Sequence, residues 1–443
     1  MVSRARMFAT MLLVGACACQ RQPSQAASPR PTAAYTIGGA VSGLRGSGLV
    51  LALNGAQDLA VAPGATRFAF ASDVPSGSSF SVTVKTQTAG QTCTVVNGTG
   101  RVAQANVDSV VVDCAAKWQQ VAAGTRHSLG LTSDYKLYAW GQNERDHPVL
   151  VNLGFSSVTA NGTLSFAIKT NGELYAWGLN EYGQLGVSLP VVESAPALLG
   201  MGFVAAAACG THSFAIKTNG ELYAWGDGSV NLNNGREAIC RTPPQLVGTG
   251  YASIAAGEWH SLAIKTNGDI YAWGDNHSGQ LGDGSTTTNH ISPVLVGSGF
   301  ASVAAGGWHS FAIKTNGELY AWGFNKQGQL GDGSTTDRRA PVLIGHGFVA
   351  VAAGLTHSLA IKTNGDIYAW GGNSEGQLGD GSTFDRASPK RIGSGFASVA
   401  AGGWHSFAIK TNGELYAWGY NVDGELGDGS TTQRASPVRV PVP

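Results

Sequence analysis

The feature that most constrains this chain is a segment of about 48 residues that recurs along its last three quarters. Each copy contains two short alternating stretches, such as residues 310–314 and 318–322. Thr-Asn-Gly joins them in six copies, and the first copy has Ser133-Asp134 in place of Asn-Gly. A tryptophan closes the second stretch, at intervals of 37, 48, 48, 49, 48 and 48 residues: Trp140, Trp177, Trp225, Trp273, Trp322, Trp370 and Trp418. A repeat of this length cannot cover its apolar face alone, so the copies must stack on one another.

The alternation within each copy predicts β-strands, and Asn-Gly between two strands predicts a tight hairpin. At Asn316-Gly317 we expect a type I′ turn, in which both residues take positive φ. Each copy adds a stretch like Ala-Ser-Val-Ala-Ala-Gly (residues 301–306) and a stretch after a proline (residues 341–344). Four strands in each of seven copies predict an all-β fold, a seven-bladed β-propeller with radially stacked sheets.

The two ends of the repeat array predict how the ring closes. The array begins at Trp118 without a proline-initiated strand before it, and it ends with such a strand at residues 437–440. We therefore expect residues 437–440 to complete the sheet that begins at Trp118 and so to join the two ends.

The same residues carry a family resemblance. Gly-Gly-Trp-His-Ser-Phe-Ala-Ile, followed by Leu-Tyr-Ala-Trp-Gly-Phe-Asn-Lys-Gln-Gly-Gln-Leu-Gly-Asp-Gly within residues 306–333, resembles the repeat of the regulator of chromosome condensation family. The resemblance covers residues 117–443 and implies a seven-bladed propeller independently of the strand count.

The N-terminal 34 residues read as a leader and a tether. Residues 1–19 combine two arginines with a short apolar run, which is typical of an export signal and too short to span a bilayer. The stretch that ends at Cys17 resembles a bacterial lipoprotein box, so Cys17 is the expected lipidation site. Cys19 is a second candidate, and ordinary secretion without a lipid is the alternative. Residues 20–34 are rich in Gln, Pro, Ser and Ala, which predicts a flexible linker.

Residues 35–116 show short alternating runs separated by Gly, Pro, Asn and Ser, which predicts a small β-sandwich domain. It resembles accessory domains that precede repeats in bacterial surface proteins. An exported chain meets oxidising conditions, so we expect a disulfide between Cys93 and Cys114. Cys209 and Cys240 either form a second bridge or remain thiols.

A histidine before serine recurs in six copies, and the other copy has Leu164. Six imidazoles near an axis raise the question of a metal ring, but metal sites need three or four convergent ligands, and symmetric positions around seven blades are too far apart. We expect each imidazole to hydrogen-bond backbone within or between blades, and we predict no metal site. The histidines are His127, His212, His260, His309, His357 and His405.

The residue before each histidine is predicted to lie in a loop, and three copies place tryptophan there. Trp259, Trp308 and Trp404 are candidate binding residues because tryptophan is enriched in binding hot spots; the alternative is that their rings pack on neighbouring loops. Arg126 and Glu258 are further candidates. The Asp-Gly-Ser-Thr loops offer too few acidic ligands for calcium and are interpreted as turns with possible polar contacts: Asp283, Asp332, Asp380 and Asp428.

Composition and motifs argue against chemistry and against nucleic acid. The formal net charge is zero, with 28 basic and 28 acidic residues and no basic block, which disfavours a nucleic-acid partner. The sequence has no nucleophile elbow, phosphate loop, paired-carboxylate pattern or Cys-x-x-Cys motif. We therefore predict a non-enzyme without a cofactor.

The favoured hypothesis is a monomeric, lipid-anchored binding scaffold of the bacterial cell envelope, on the periplasmic or the outer face, whose propeller loops contact a protein partner. One alternative follows from the namesake of the family, which implies guanine-nucleotide exchange on a small GTPase. Another is an exported inhibitor of the β-lactamase-inhibitor type, since related propellers of that kind bind through aromatic-rich loops. A hydrolase or lyase with its site in the channel lacks the residues it would need.

Overall fold

The coordinates form a computed structural model that describes residues 33–88, 93–142, 146–187, 192–208, 210–226, 241–286 and 289–443. In these ranges every regular element is a β-strand, and there is consequently no long apolar helix that could cross a bilayer. The predicted leader, Cys17, Cys19, Cys209 and Cys240 lie outside the described residues.

The N-terminal part contains two four-stranded sheets with a common core. The sheet orders are β5-β2-β10-β8 and β4-β3-β7-β9, and β1 pairs with β6. The strands are β1 (Ala34–Tyr35), β2 (Ile37–Ser42), β3 (Val50–Leu53), β4 (Gln57–Ala60), β5 (Arg67–Ala69), β6 (Val74–Pro75), β7 (Ser79–Thr86), β8 (Thr94–Val96), β9 (Thr99–Arg101) and β10 (Val107–Asp113). Ile37 and Val110 from one sheet pack in one cluster with Leu51 and Val82 from the other. The predicted Cys93–Cys114 disulfide is present.

The remainder of the described chain forms seven four-stranded antiparallel sheets, which we call units 1 to 7 in chain order. The first strands are β11 (Trp118–Ala123), β15 (Phe155–Asn161), β19 (Phe203–Ala208), β23 (Tyr251–Ala256), β27 (Phe300–Ala305), β31 (Phe348–Ala353) and β35 (Phe396–Ala401). The second strands are β12 (His127–Thr132), β16 (Leu164–Lys169), β20 (His212–Lys217), β24 (His260–Lys265), β28 (His309–Lys314), β32 (His357–Lys362) and β36 (His405–Lys410).

Two further strands complete each unit. The third strands are β13 (Lys136–Gly141), β17 (Leu174–Leu179), β21 (Leu222–Gly226), β25 (Ile270–Gly274), β29 (Leu319–Gly323), β33 (Ile367–Gly371) and β37 (Leu415–Gly419). The fourth strands are β14 (Val149–Leu153), β18 (Val192–Gly200), β22 (Arg241–Gly248), β26 (His290–Gly297), β30 (Arg338–Gly345), β34 (Arg386–Gly393) and β38 (Arg434–Val440). Alanine and valine from all seven first strands line one central channel, because only small side chains fit where seven strands converge.

The predicted hairpin is confirmed, but the predicted turn type is wrong. In unit 5 the amide of Lys314 bonds the carbonyl of Glu318, and the amide of Gly317 bonds the carbonyl of Lys314, both at 2.9 Å. Gly317 has φ of +82°, whereas Asn316 is not among the residues with positive φ. The loop therefore has three residues, Thr315 to Gly317, as in a type I turn followed by a left-handed glycine. The Asn316 side chain instead accepts a hydrogen bond from the amide of Glu318.

The cores of the ring lie between the units. The hairpin tryptophan of each unit is buried against the preceding unit: Trp370 of unit 6 packs in one cluster with Phe311, Ile313 and Leu319 of unit 5. Burying large aromatic rings in this way removes much apolar surface from water at every interface. The interfaces, more than the isolated sheets, therefore stabilise the array.

The ring closes, but not by the strand exchange that the sequence suggested. Strand β38 pairs with β37 of its own unit, and β14 already completes the first sheet. The ends meet through side chains: Trp118 packs in one cluster with Phe407 and Val440, and its Nε1–H donates to the Val440 carbonyl at 3.3 Å. Because unit 1 has a full set of four strands, no position is left there for β38.

Candidate functional site

All the predicted binding residues of the propeller lie at one end of the ring, which we call the top face. It consists of the short connections between first and second strands and the long connections between third and fourth strands. Trp259, Trp308, Trp404, Arg126 and Glu258 all belong to the short connections. The sequence therefore placed these side chains on a common surface, although it did not show their contacts.

Two of the three loop tryptophans combine packing with exposure. The Trp308 ring lies edge-to-face on Phe324, with ring centres 6.3 Å apart, and the Trp404 ring lies 6.1 Å from that of Tyr420. Trp259 is 41% exposed. The loops thus hold Trp308 and Trp404 in place at the surface and leave Trp259 more open to solvent.

The two charged candidates occupy different places on the top face. Arg126 is exposed and its guanidinium lies 3.7 Å from a carboxylate oxygen of Asp423, across the boundary between units 1 and 7. Glu258 is half-buried at the mouth of the central channel, and this burial raises its pKa. Arg126 is therefore a rim residue, whereas Glu258 faces the axis.

The recurring histidines form hydrogen bonds between units, and the partner of Nε2 is a serine hydroxyl, whereas the sequence predicted a backbone partner. His127 also has a backbone hydrogen bond with Leu164 of the next unit. In each case Nε2 meets the hydroxyl of the next unit, and the last bond returns to unit 1. The pairs are His127–Ser165 (2.8 Å), His212–Ser261 (3.4 Å), His260–Ser310 (2.8 Å), His309–Ser358 (3.2 Å), His357–Ser406 (2.8 Å) and His405–Ser128 (3.1 Å). Leu164 leaves the one gap in this series.

The serine contacts determine the histidine tautomer. The Ser406 hydroxyl donates its single proton to the Gln377 carbonyl at 2.8 Å, so it accepts from Nε2–H of His357. Nε2 of His357 therefore carries a proton, and the low pKa of this buried imidazole makes the ring neutral at pH 7. Burial lowers the pKa of His309, His357 and His405 to about 3, and that of His127 and His260 to about 4.

A close approach of the backbone at a glycine accompanies five of the six histidines. A Cβ at Gly306 would lie 2.4 Å from both the Gly354 carbonyl and the His309 ring, so a side chain does not fit there. Unit 2 departs at both positions, with Asn161 in place of the glycine and Leu164 in place of the histidine. No group of three or more metal-binding side chains occurs in the described ranges.

The Asp-Gly-Ser-Thr loops use their carboxylates within the loop. In unit 6, Asp380 accepts the Ser382 amide at 3.0 Å and pairs with Arg386 at 2.8 Å, and its side chain is only 2% exposed. Units 5 and 7 repeat this arrangement with Asp332 and Asp428, and unit 4 pairs Asp283 with His290. The turn interpretation is confirmed, and these carboxylates are committed to internal contacts rather than to a partner.

The structure also shows a top-face feature that the sequence analysis missed. A cavity of about 650 Å³ opens between units 1 and 2, lined by residues that include Leu129, Ala139, Ser165 and Trp177. We call it the notch. The signal in the sequence was the interval of 37 residues between Trp140 and Trp177, shorter than all the others.

Sheets stacked in a ring and linked by His–Ser hydrogen bonds define a repeat β-protein of the propeller class. The sequence-family model of the RCC1-like domain matches residues 145–443, and the family model of the regulator of chromosome condensation (RCC1) repeat matches residues 118–146. The chain therefore belongs to the regulator of chromosome condensation repeat family.

Solved structures with this fold include yeast RCC1 (Prp20) bound to Kap60, with 24% identity over 68% of this chain and 79% of that chain and a TM-score of 0.60. Prp20p from Saccharomyces cerevisiae, described with its binding properties to Gsp1p and histones, is 25% identical over 68% of this chain and 81% of that chain, with a TM-score of 0.59. Human WBSCR16 is 21% identical over 65% of this chain and 85% of that chain, with a TM-score of 0.57. Curated proteins include no significant match to this chain.

Proposed function

We propose that this protein is an exported, lipid-anchored scaffold that binds a protein partner through the top face of a seven-bladed propeller and catalyses no reaction. The propeller stands behind a small β-sandwich domain, and the lipid on Cys17 holds both at the bacterial cell envelope. The observation that carries the proposal is the placement of Trp259, Trp308 and Trp404 on one face, with Trp259 41% exposed.

The contacts around the tryptophans support binding over packing alone. Trp308 and Trp404 are each held by one aromatic neighbour, so little side-chain entropy is lost when a partner covers them. Large aromatic residues on a rigid scaffold contribute strongly to binding when they become desolvated. Structural relatives of the family in complex with protein, such as yeast RCC1 (Prp20) with Kap60, are consistent with this mode.

A matched pair of variants tests the top face. The triple variant Trp259→Ala, Trp308→Ala, Trp404→Ala is compared with Leu246→Ala, Leu295→Ala, Leu343→Ala, whose side chains lie on fourth strands and are 46–56% exposed. Both tagged proteins are used to capture partners from an extract of the cell envelope. We expect the partner to be lost from the tryptophan variant and kept by the leucine variant. Retention by the tryptophan variant, with its fold intact by circular dichroism, would refute the proposed surface.

The anchor and the absence of catalysis need separate tests. Labelling with a radioactive fatty acid should mark the wild type and not Cys17→Ser. Release of a fluorescent guanine nucleotide from a small GTPase tests the exchange alternative, and accelerated release would contradict a non-enzymatic scaffold. Inhibition of a β-lactamase would identify the partner class as that of the inhibitor alternative.

A further inference from the structure

Five of the unit interfaces share a contact that joins a loop to the next unit. The connection between third and fourth strands places one backbone carbonyl where the next unit's serine hydroxyl and tryptophan indole both donate to it, at 2.8–2.9 Å. The carbonyls belong to Gln184, Gln280, Gln329, Gln377 and Glu425.

The residue after that carbonyl is a leucine that fills the interface. Leu378 is fully buried in one cluster with Leu359 and Ala369 of its own unit and Trp418 of the next. The loop therefore makes two kinds of contact with the next unit. One carbonyl oxygen accepts two hydrogen bonds, and the leucine beside it fills an apolar slot between the units. A buried leucine of this kind contributes about 2–5 kcal/mol.

The corresponding connection of unit 1 is shorter, and its sequence contains no leucine and no Gly-Gln-Leu-Gly segment. Pro148 follows Gly141 by 7 residues, whereas Pro389 follows Gly371 by 18. The notch lies at this interface, and Leu129, Ala139 and Trp177 occupy the positions of Leu359, Ala369 and Trp418 around it. Trp177 is 8% exposed, whereas the other six hairpin tryptophans are at most 1% exposed.

The two hydrogen-bond donors of the notch have no carbonyl to bind in the part of the chain that the structure describes. Ser165 contacts Nε2 of His127 at 2.8 Å, and its hydroxyl can donate to another acceptor when Nε2 carries the imidazole proton. The Trp177 indole N–H makes no hydrogen bond within the described ranges. Both donors are therefore present at this interface, but the carbonyl that accepts from the equivalent donors at five other interfaces is not found among the described residues.

We propose that the notch binds a loop of a partner protein that supplies one backbone carbonyl to Ser165 and Trp177 and one leucine to the slot between Leu129, Ala139 and Trp177. The occupant is specified by this chain itself, since a Gly-Gln-Leu-Gly segment makes the same contacts at the equivalent places. The inference does not depend on the three loop tryptophans, because none of Trp259, Trp308 and Trp404 lines the notch.

The test uses the full-length protein and a synthetic peptide with the sequence of residues 373–382, Asn-Ser-Glu-Gly-Gln-Leu-Gly-Asp-Gly-Ser, labelled for fluorescence anisotropy. We expect saturable binding that weakens at least about tenfold when the peptide leucine becomes alanine. Trp177→Phe and Ser165→Ala should each weaken binding about three- to tenfold. Ser406→Ala removes the same hydroxyl at a filled interface and should leave peptide binding unchanged.

Each remaining outcome counts against the proposal. Absence of binding to correctly folded wild type overturns it, as does binding that is equal for the leucine and alanine peptides or equal for Trp177→Phe and wild type. Binding that appears only after residues 143–145 or 188–191 are replaced by Gly and Ser identifies the chain's own segment as the occupant and also overturns it. None of these results depends on the Trp259, Trp308, Trp404 variant, so failure here is distinguishable from failure of the proposed function.

Discussion

The interface between units 6 and 7 and the interface between units 1 and 2 are built from equivalent strands but differ in one loop. At the first, Gln377 and Leu378 join Ser406 and Trp418. At the second, the sequence of the corresponding connection lacks the Gln-Leu pair, yet Leu131 and Leu137 still pack with Phe155 and Trp177 in one cluster. The comparison indicates that the strand faces are sufficient to join two units and that the loops are free to change.

The largest expected effect concerns acidity and the histidines that most interfaces carry. The buried histidines have pKa values of about 3 to 4, whereas an unfolded histidine has about 6.5. As the pH falls below 6.5 the unfolded chain takes up protons that the folded chain does not, so the free energy of unfolding should fall by about 1.4 kcal/mol per pH unit for each buried histidine. Stability is fully present above that pH.

Urea unfolding between pH 7.5 and 5 measures this slope. His309→Leu copies the natural Leu164 of unit 2 and should reduce the slope by the share of one histidine. Equal slopes for the wild type and the variant would show that His309 titrates alike in the folded and unfolded chain.

The next effect separates the filled interface from the notch directly. Leu378→Ala should lower the free energy of unfolding by about 2–5 kcal/mol, because the leucine is fully buried and leaves a cavity. Val422→Ala, in the corresponding loop of unit 7 but 54% exposed, is the control and should change it by less than about 0.5 kcal/mol. Thermal or chemical unfolding measures both, and similar losses would mean that the leucine does not hold the interface.

A smaller effect compares the two tryptophans. Trp418→Phe removes the buried hydrogen bond to Gln377, whereas Trp177→Phe removes an indole N–H that has no such acceptor. We expect Trp418→Phe to destabilise the protein by about 1 kcal/mol more than Trp177→Phe. If the two losses of unfolding free energy are equal, the notch is occupied in the isolated protein.

The smallest effect concerns Glu425, which stands where four other units have glutamine. Its side chain is fully buried, one carboxylate oxygen has no hydrogen-bond partner among the described residues, and burial raises its pKa. Because the folded pKa is raised, the ionised carboxylate lowers stability as the pH rises above about 4.5. Glu425→Gln should therefore raise the free energy of unfolding at pH 7 by about 0.5–1 kcal/mol, with no gain near pH 4 as the internal control.

The sequence predicted the elements that repeat and missed the features in which one copy differs. The tryptophan spacing identified every hairpin, and Asn-Gly marked six of the seven turns, because a pattern copied several times is hard to mistake. The turn type at Asn316 was wrong, because Asn-Gly also fits a type I turn in which the glycine alone takes positive φ. The predicted pairing of β38 with the first sheet was wrong, because a count of strands does not show which neighbour each strand pairs with.

The candidate site was predictable only as a surface. Loop positions next to a strand end indicated that Trp259, Trp308 and Trp404 share a face, but the aromatic neighbours of Trp308 and Trp404 come from a different connection of the same unit. The notch required knowledge of which loop covers which tryptophan, and that relation crosses from one unit to the next. An irregular interval was visible in the sequence, but its consequence was not.

The way in which the ring closes has a consequence for how the chain can be re-engineered. Since β38 remains in its own sheet, the junction between units 7 and 1 uses the same kinds of contact as the junction between units 6 and 7. The ring should therefore form whichever unit comes first in the chain. A circular permutant that links Val440 to Trp118 and starts at Phe300 should assemble the same architecture, with its new ends on the side opposite the tryptophan loops.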